Sequence, residues 1–184
     1  EEPRMNRRES VRLLGAIAAV PFLPGTAEAA SGIAERVHEA IQGGARFRTF
    51  DPTQQELVRR LVDAMIPRTD TPGALDVRVP EFIDHVVTDW ASEPERRALL
   101  DGLADIDARV RAQGAATFTG LGATRQAGLL RMLDGERAAT SGAGHAFGQV
   151  KSLAVYGYFT AEAVQRDVLK TQVFFTAFDG CAPA

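Results

Sequence analysis

The strongest constraint on the fold is a run of apolar residues that follows Asp51 with the 3.6-residue period of an α-helix. Asp51 is a suitable N-cap, Pro52 suits the first helical turn, and Gln54 stands at the capping-box position. The apolar residues form one broad face that ends before Pro67 and contains Leu57, Val58, Leu61, Val62, Met65 and Ile66. The pattern predicts an amphipathic helix that buries this face against other elements of the chain.

The same period recurs over most of the chain and predicts an all-α fold. A second capping box, formed by Ser92 and Glu95, predicts the start of another helix. No pair of alternating apolar runs flanks a hairpin turn. We expect a compact irregular helical bundle of about five helices with an extended C-terminal tail. The other apolar segments with helical spacing lie at 31–41, 80–90, 129–133 and 147–159, and connectors are predicted at 46–50 and 140–144.

Residues 1–30 have the layout of an export signal. Arg7 and Arg8 belong to a charged head, and Leu13–Leu23 is a short apolar stretch. Ala27-Glu28-Ala29 then matches a small-x-small cleavage site. The paired arginines resemble a twin-arginine signal, whose machinery carries folded cargo across the bacterial inner membrane. We therefore expect export to the periplasm; the alternative is an N-terminal amphipathic helix that stays on the protein.

Met5 is the expected start of translation, and residues 31–184 are the expected exported helical domain. The formal net charge of −3 leaves no excess of positive charge to bind a nucleic acid, so no nucleic-acid partner is expected. No apolar run reaches the roughly 18 residues that are needed to span a bilayer. A single cysteine excludes both an internal disulfide framework and a multi-cysteine zinc site.

Residues with catalytic chemistry are scattered along the sequence rather than grouped. The chain has no HExxH, CxxC or phosphate-loop motif, and its three histidines are far apart. Asp84 and His85 are neighbours, but adjacent side chains on a helix point about 100° apart, so we do not expect them to serve one site. The sequence therefore predicts no catalytic, cofactor-binding or metal-binding residue in this chain.

Two internal features suggest a protein interface instead. Pro72 and Gly73 set a turn in the loop that follows Pro67; the alternative is a loop that merely joins two helices. Tyr156, Tyr158 and Phe159 lie too close together on a predicted helix for all of them to face one core. At least one of these rings should point elsewhere, toward a partner or toward the tail of the same chain.

The tail, residues 171–184, is the third such feature. Phe174, Phe175 and Phe178 lack helical spacing, and exposing all three would invite aggregation. We expect a partner to bury them, the alternative being a tail that folds back on the helices. Cys181 is a lone cysteine, which in an oxidising compartment can bridge to another chain.

Two motifs carry a resemblance to a known family. Residues 50–84, FDPTQQELVRRLVDAMIPRTDTPGALDVRVPEFID, resemble the core signature of the gluconate 2-dehydrogenase subunit 3 family. Residues 151–162, KSLAVYGYFTAE, resemble its late Tyr-Gly-Tyr-Phe-Thr-Ser-Glu motif, with Ala161 in place of the usual Ser. The closing Phe-Asp-Gly-Cys, residues 178–181, also agrees, whereas the intervening VQRDVLKTQVFF departs from the family pattern.

The resemblance implies a non-catalytic small subunit. Such chains are similar to partners of large dehydrogenases of the glucose–methanol–choline type, in which the large subunit holds FAD and oxidises a sugar, a sugar acid or a glycoside. The small subunit supports folding and supplies the export signal, and in some systems a multihaem cytochrome c subunit joins. No cofactor is then expected in this chain, and contact with the membrane is expected only through the complex.

Two other functions remain open at this point. The first is a stand-alone periplasmic helical enzyme or ligand-binding protein with a pocket among Tyr156, Tyr158, Trp90 and a histidine. The second is a general export chaperone that releases its client.

Overall fold

A computed structural model describes residues 21–23 and 27–169, and these ranges contain six α-helices and no strand. The all-α prediction is confirmed, whereas the predicted tail, residues 171–184, lies outside the described residues. A one-turn 3₁₀ helix, Phe118–Leu121, lies between the fourth and fifth α-helices, and a π-helical turn, Val164–Val168, follows the sixth. The helices are α1 (Ala27–Gln42), α2 (Pro52–Met65), α3 (Val79–Trp90), α4 (Glu93–Ala112), α5 (Ala123–Gly135) and α6 (Gly142–Thr160).

Helix α6 is the centre of the bundle. It packs most extensively against α4 and also contacts α1, α2, α3 and α5. Its buried residues cover most of its circumference, which is typical of a helix that other elements enclose on most sides. Phe147, Val150 and Leu153 are among the core residues that it contributes. None of the helices in the described ranges combines the length and the apolar character that crossing a membrane demands.

The two predicted capping boxes are present at the helix starts where the sequence placed them. Asp51 Oδ1 accepts a hydrogen bond from the backbone amide of Gln54 at 2.9 Å. Gln54 Oε1 accepts one from the backbone amide of Asp51 at 3.0 Å. Ser92 and Glu95 form the same reciprocal pair at the start of α4. The apolar face predicted for α2 is buried from Leu57 to Val62. The hydrogen bonds at the starts of α2 and α4 and the burial of the apolar face of α2 therefore agree with the sequence predictions.

The predicted loop at 140–144 is wrong in its second half. Helix α6 begins at Gly142, and Gly144 in its first turn lies directly against Glu136, the residue that follows α5. A Cβ atom at Gly144 would lie 2.6 Å from the carbonyl oxygen of Glu136. The small residues here therefore serve a close helix crossing rather than a flexible connection.

Helix α1 begins at Ala27, four residues before the segment 31–41 in which the sequence predicts it. Its predicted apolar residues Ile33, Val37 and Ile41 are all buried in the common core. The C-terminal end of α1 is held by Arg78, whose guanidinium donates hydrogen bonds to the carbonyls of Ile41 and Ala45. Helix α1 is therefore part of the packed body and not an appendage of the leader.

Candidate partner interface

The loop between α2 and α3, residues 66–78, is held together by its own hydrogen bonds, and we call it the braced loop. One carboxylate oxygen of Asp76 accepts a hydrogen bond from the Gly73 amide at 2.7 Å. The other accepts one from the Arg68 guanidinium at 2.8 Å. The Ala74 amide donates to the carbonyl of Ile66 at 2.9 Å, which closes the base of the loop. These bonds give the loop one defined shape.

Gly73 is required in this loop because of its surroundings. A Cβ atom there would lie 2.6 Å from the Arg68 amide nitrogen, which is a backbone atom that cannot swing away. Gly73 and Ala74 are buried, whereas residues 67–70 are exposed. The predicted turn therefore holds the buried part of the loop at Gly73, and residues 67–70 form its exposed tip. Contact of this loop with a partner stays a prediction.

Both predicted interface tyrosines of α6 lie in the protein's own core. Tyr156 and Tyr158 are each only 5% exposed. The Tyr156 hydroxyl donates to the carbonyl of Ala30 in α1, and the Tyr158 hydroxyl donates to the carbonyl of Pro72 at 2.8 Å. The tyrosines therefore tie α6 to α1 and to the braced loop.

Packing around Tyr156 explains the glycine that separates the two tyrosines. The ring of Phe82 in α3 meets the Tyr156 ring edge-on, with the centroids 5.5 Å apart. A Cβ atom at Gly157 would lie 2.6 Å from the Phe82 ring, so only glycine leaves room for it. Burial raises the pKa of Tyr156 to about 12, so its hydroxyl remains a hydrogen-bond donor at physiological pH.

Phe159 is the aromatic residue of this run that faces outward. It is 41% exposed, and Val155, one turn earlier on the same side of α6, is 44% exposed. The prediction that at least one of the three rings points away from the core is confirmed by Phe159. Its ring also touches Tyr158 edge-on, with the centroids 5.3 Å apart. An exposed apolar pair on an otherwise enclosed helix is a candidate contact surface.

The remaining predicted functional residues lie outside the described part of the chain. They are the export-signal residues Arg7 and Arg8 and the tail residues Phe174, Phe175, Phe178 and Cys181. Their roles stay predictions.

Asp84 and His85 both contact the segment that joins α1 to α2, each through its own partners. The fully buried Asp84 carboxylate accepts hydrogen bonds from the backbone amides of Arg48, Thr49 and Phe50, at 2.7, 3.0 and 2.8 Å. The Nδ1 atom of His85 lies 3.1 Å from the Arg48 guanidinium. The segment that joins α1 to α2 runs across both side chains, so two adjacent residues of α3 hold one connector.

The structure also contains a shallow groove with a volume of about 280 Å³ between α2, α4 and the 3₁₀ helix. Pro52, Leu57, Arg60 and Phe118 are among its lining residues, and neither tyrosine of α6 nor Trp90 is. No group of three or more His, Cys, Asp or Glu side chains that could hold a metal occurs within 21–23 and 27–169.

Together, the fold and the site define an all-α protein that presents a braced loop and an outward aromatic on a rigid helical core. Residues 52–174 match the family described as gluconate 2-dehydrogenase subunit 3. Since the match covers more than half of the chain, the protein belongs to this family, and the resemblance seen in its motifs is confirmed. It is therefore a small accessory subunit of a dehydrogenase complex, with a catalytic dehydrogenase subunit as its partner. No curated protein and no solved structure matches the chain.

Proposed function

We propose that this chain is the non-catalytic small subunit of a periplasmic dehydrogenase of the glucose–methanol–choline type. In this proposal the large subunit holds FAD and oxidises a sugar, a sugar acid or a glycoside. The small subunit assists its folding, stabilises it and supplies the twin-arginine signal for export. The observation that carries the proposal is the family match over residues 52–174. The leader with Arg7 and Arg8 supports the route of export.

The surface of the described residues supports a docking role. The exposed tip of the braced loop is ordered by Asp76 and Tyr158, so binding there would cost little conformational entropy. Phe159 and Val155 supply exposed apolar area of the kind that is enriched in interface cores. We place the large subunit against these features and against the aromatic tail, with Cys181 as a candidate bridge to it.

The twin-arginine route suits a flavoprotein partner. FAD is inserted in the cytoplasm, so the loaded large subunit must cross the membrane in a folded state. A partner that carries the leader solves this problem for a large subunit that lacks one. A multihaem cytochrome c can join as a third subunit, and the complex then meets the membrane through its other chains.

The main alternative, a stand-alone periplasmic ligand-binding protein or enzyme, needs a pocket formed by Tyr156, Tyr158, Trp90 and a histidine. Both tyrosine hydroxyls already bond to backbone carbonyls of the same chain, and the Arg36 guanidinium lies over the Trp90 ring. These contacts favour the accessory role. A chaperone that releases its client is distinguished by whether the complex survives purification.

Replacing the paired arginines tests the export role. In cells that express both subunits, the double variant Arg7→Lys and Arg8→Lys should leave the large subunit in the cytoplasm and abolish periplasmic sugar-dependent dye reduction. Arg97→Lys, at an exposed position of α4, is the matched control and should leave export unchanged. Undiminished periplasmic activity in the double variant would refute the proposed route.

A further inference from the structure

We propose that the folding of α1 protects the predicted leader-cleavage site, so that removal of the leader requires the first turn of α1 to open. The inference rests on the proposed twin-arginine export, because that route delivers a chain whose body is already folded. It concerns the bond directly after the small-x-small motif, the amide between Ala29 and Ala30, one residue before the domain boundary at 30/31. Its hydrolysis adds one water and leaves a carboxylate on Ala29 and an amine on Ala30.

The small-x-small motif lies inside a helix and not in a linker. Helix α1 begins at Ala27, so the motif Ala27-Glu28-Ala29 forms its first turn. Endoproteases bind their substrates as extended strands that pair through the main chain. A peptide bond in a helical turn cannot take this shape until the turn unwinds.

The residues on both sides of the motif are held against the body. After it, Ala30 is fully buried, and its carbonyl accepts the buried hydroxyl of Tyr156 from α6. Before it, Phe22 and Leu23, at the end of the apolar stretch of the leader, pack partly buried against the same core. Opening the first turn therefore breaks a buried hydrogen bond and uncovers Ala30.

Cleavage then proceeds only from a locally opened state. When opening is rapid and reversible, the cleavage rate follows the population of that state. The exported subunit keeps its apolar leader for as long as α1 stays docked. Docking of α1 thus sets the time of processing.

The test is a pulse–chase of the full chain, expressed with its large subunit, in which the intact mass reports the fraction cleaved after Ala29. Tyr156→Phe removes the hydrogen bond to Ala30 and should speed processing about five-fold, as expected for one buried hydrogen bond. Tyr158→Phe also removes one tyrosine hydroxyl, but that hydroxyl bonds to Pro72, so its processing should match that of the wild type. Equal rates for the wild type and Tyr156→Phe would overturn the proposal.

A second variant separates this inference from the proposed export. A short Gly/Ser linker that carries another Ala-Glu-Ala motif is inserted between Gly25 and Thr26, which leaves α1 and the body unchanged. Rapid cleavage in the insert with slow cleavage after Ala29 is the expected result. If the exported chain is never cut in the insert, Ala-Glu-Ala is not a cleavage motif and the inference fails while the export route stands. Wild-type cleavage after Ala29 as fast as cleavage in the insert shows that the fold gives no protection.

Discussion

Asp84 holds the connector between α1 and α2 to the body of the protein. Its buried carboxylate is the acceptor for three successive backbone amides, those of residues 48–50. A hydrogen bond to a charged group contributes about 1.5–3 kcal/mol, and a buried amide left without its acceptor is costly. The cost of losing this side chain should therefore greatly exceed that of losing a surface carboxylate.

We predict that Asp84→Ala lowers the free energy of unfolding by about 3 kcal/mol or more, as measured by denaturant titration. Asp89→Ala is the matched control on the same helix. Asp89 pairs with Arg48 at 2.6 Å while both side chains are partly exposed, so its loss should cost about 1 kcal/mol or less. Similar losses from the two variants would show that the amide cluster is unimportant.

His38 should make the stability of the protein dependent on pH. Its Nε2 atom donates to the hydroxyl of Thr160 at 3.0 Å, because that hydroxyl itself donates to the carbonyl of Tyr156. Burial lowers the pKa of His38 below its usual 6.5, although the nearby Gly157 carbonyl opposes the shift. The unfolded chain therefore binds a proton at a higher pH than the folded chain does.

The stabilising contribution of neutral His38 is complete above about pH 6.5 and is lost progressively as the pH falls through the lowered folded-state pKa. We predict that the wild type loses more stability than His38→Gln between pH 7 and pH 5. Thermal melts of both proteins across this range give the comparison. Parallel curves would contradict a buried neutral His38.

At the residue scale, the sequence predicted contacts that are local. The capping boxes were predictable because the partners lie three residues apart. The hydrogen bonds of Asp84 were not predictable, because the backbone amides that it accepts from lie 34 to 36 positions away in the sequence. That at least one of the three rings points away from the core followed from helix geometry. Which ring it is, and which carbonyls accept from the two tyrosine hydroxyls, depend on how the helices pack.

At the element scale, periodicity located the helices but misplaced two of their starts. Ser31 and the small residues at 140–144 are typical of a cap and a loop, so the beginnings of α1 and α6 were predicted too late. Tertiary packing decides both boundaries. The first turn of α1 is held by Tyr156, and the first turn of α6 passes close to the end of α5.

A pair of glycines in neighbouring helices tests the close crossing of α5 and α6. Gly144→Ala places a Cβ atom against the backbone of Glu136 and should cost about 1–3 kcal/mol of stability. Gly128→Ala, in the middle of α5, meets no atom within 4 Å and should stabilise the protein by up to about 1 kcal/mol through helix propensity. Chemical denaturation of the two variants measures both effects, and a stabilising Gly144→Ala would contradict the crossing.

At the scale of the whole molecule, the protein is a rigid helical body that belongs to a dehydrogenase complex. Its described residues tie the leader-proximal helix, the braced loop and the central helix together through Tyr156 and Tyr158. Motifs on two of these elements carried the family resemblance in the sequence. The two tyrosines of the late motif have a structural role within this chain, and Phe159 beside them offers its ring to the outside.

The central claim is tested most directly by purifying the affinity-tagged chain from the periplasm and analysing it by size-exclusion chromatography with flavin absorbance. We predict a stable one-to-one complex with a larger flavoprotein, with sugar-dependent dye reduction in the complex and none in the separated small chain. A small chain that elutes alone as a monomer and reduces the dye without a flavoprotein would contradict the account.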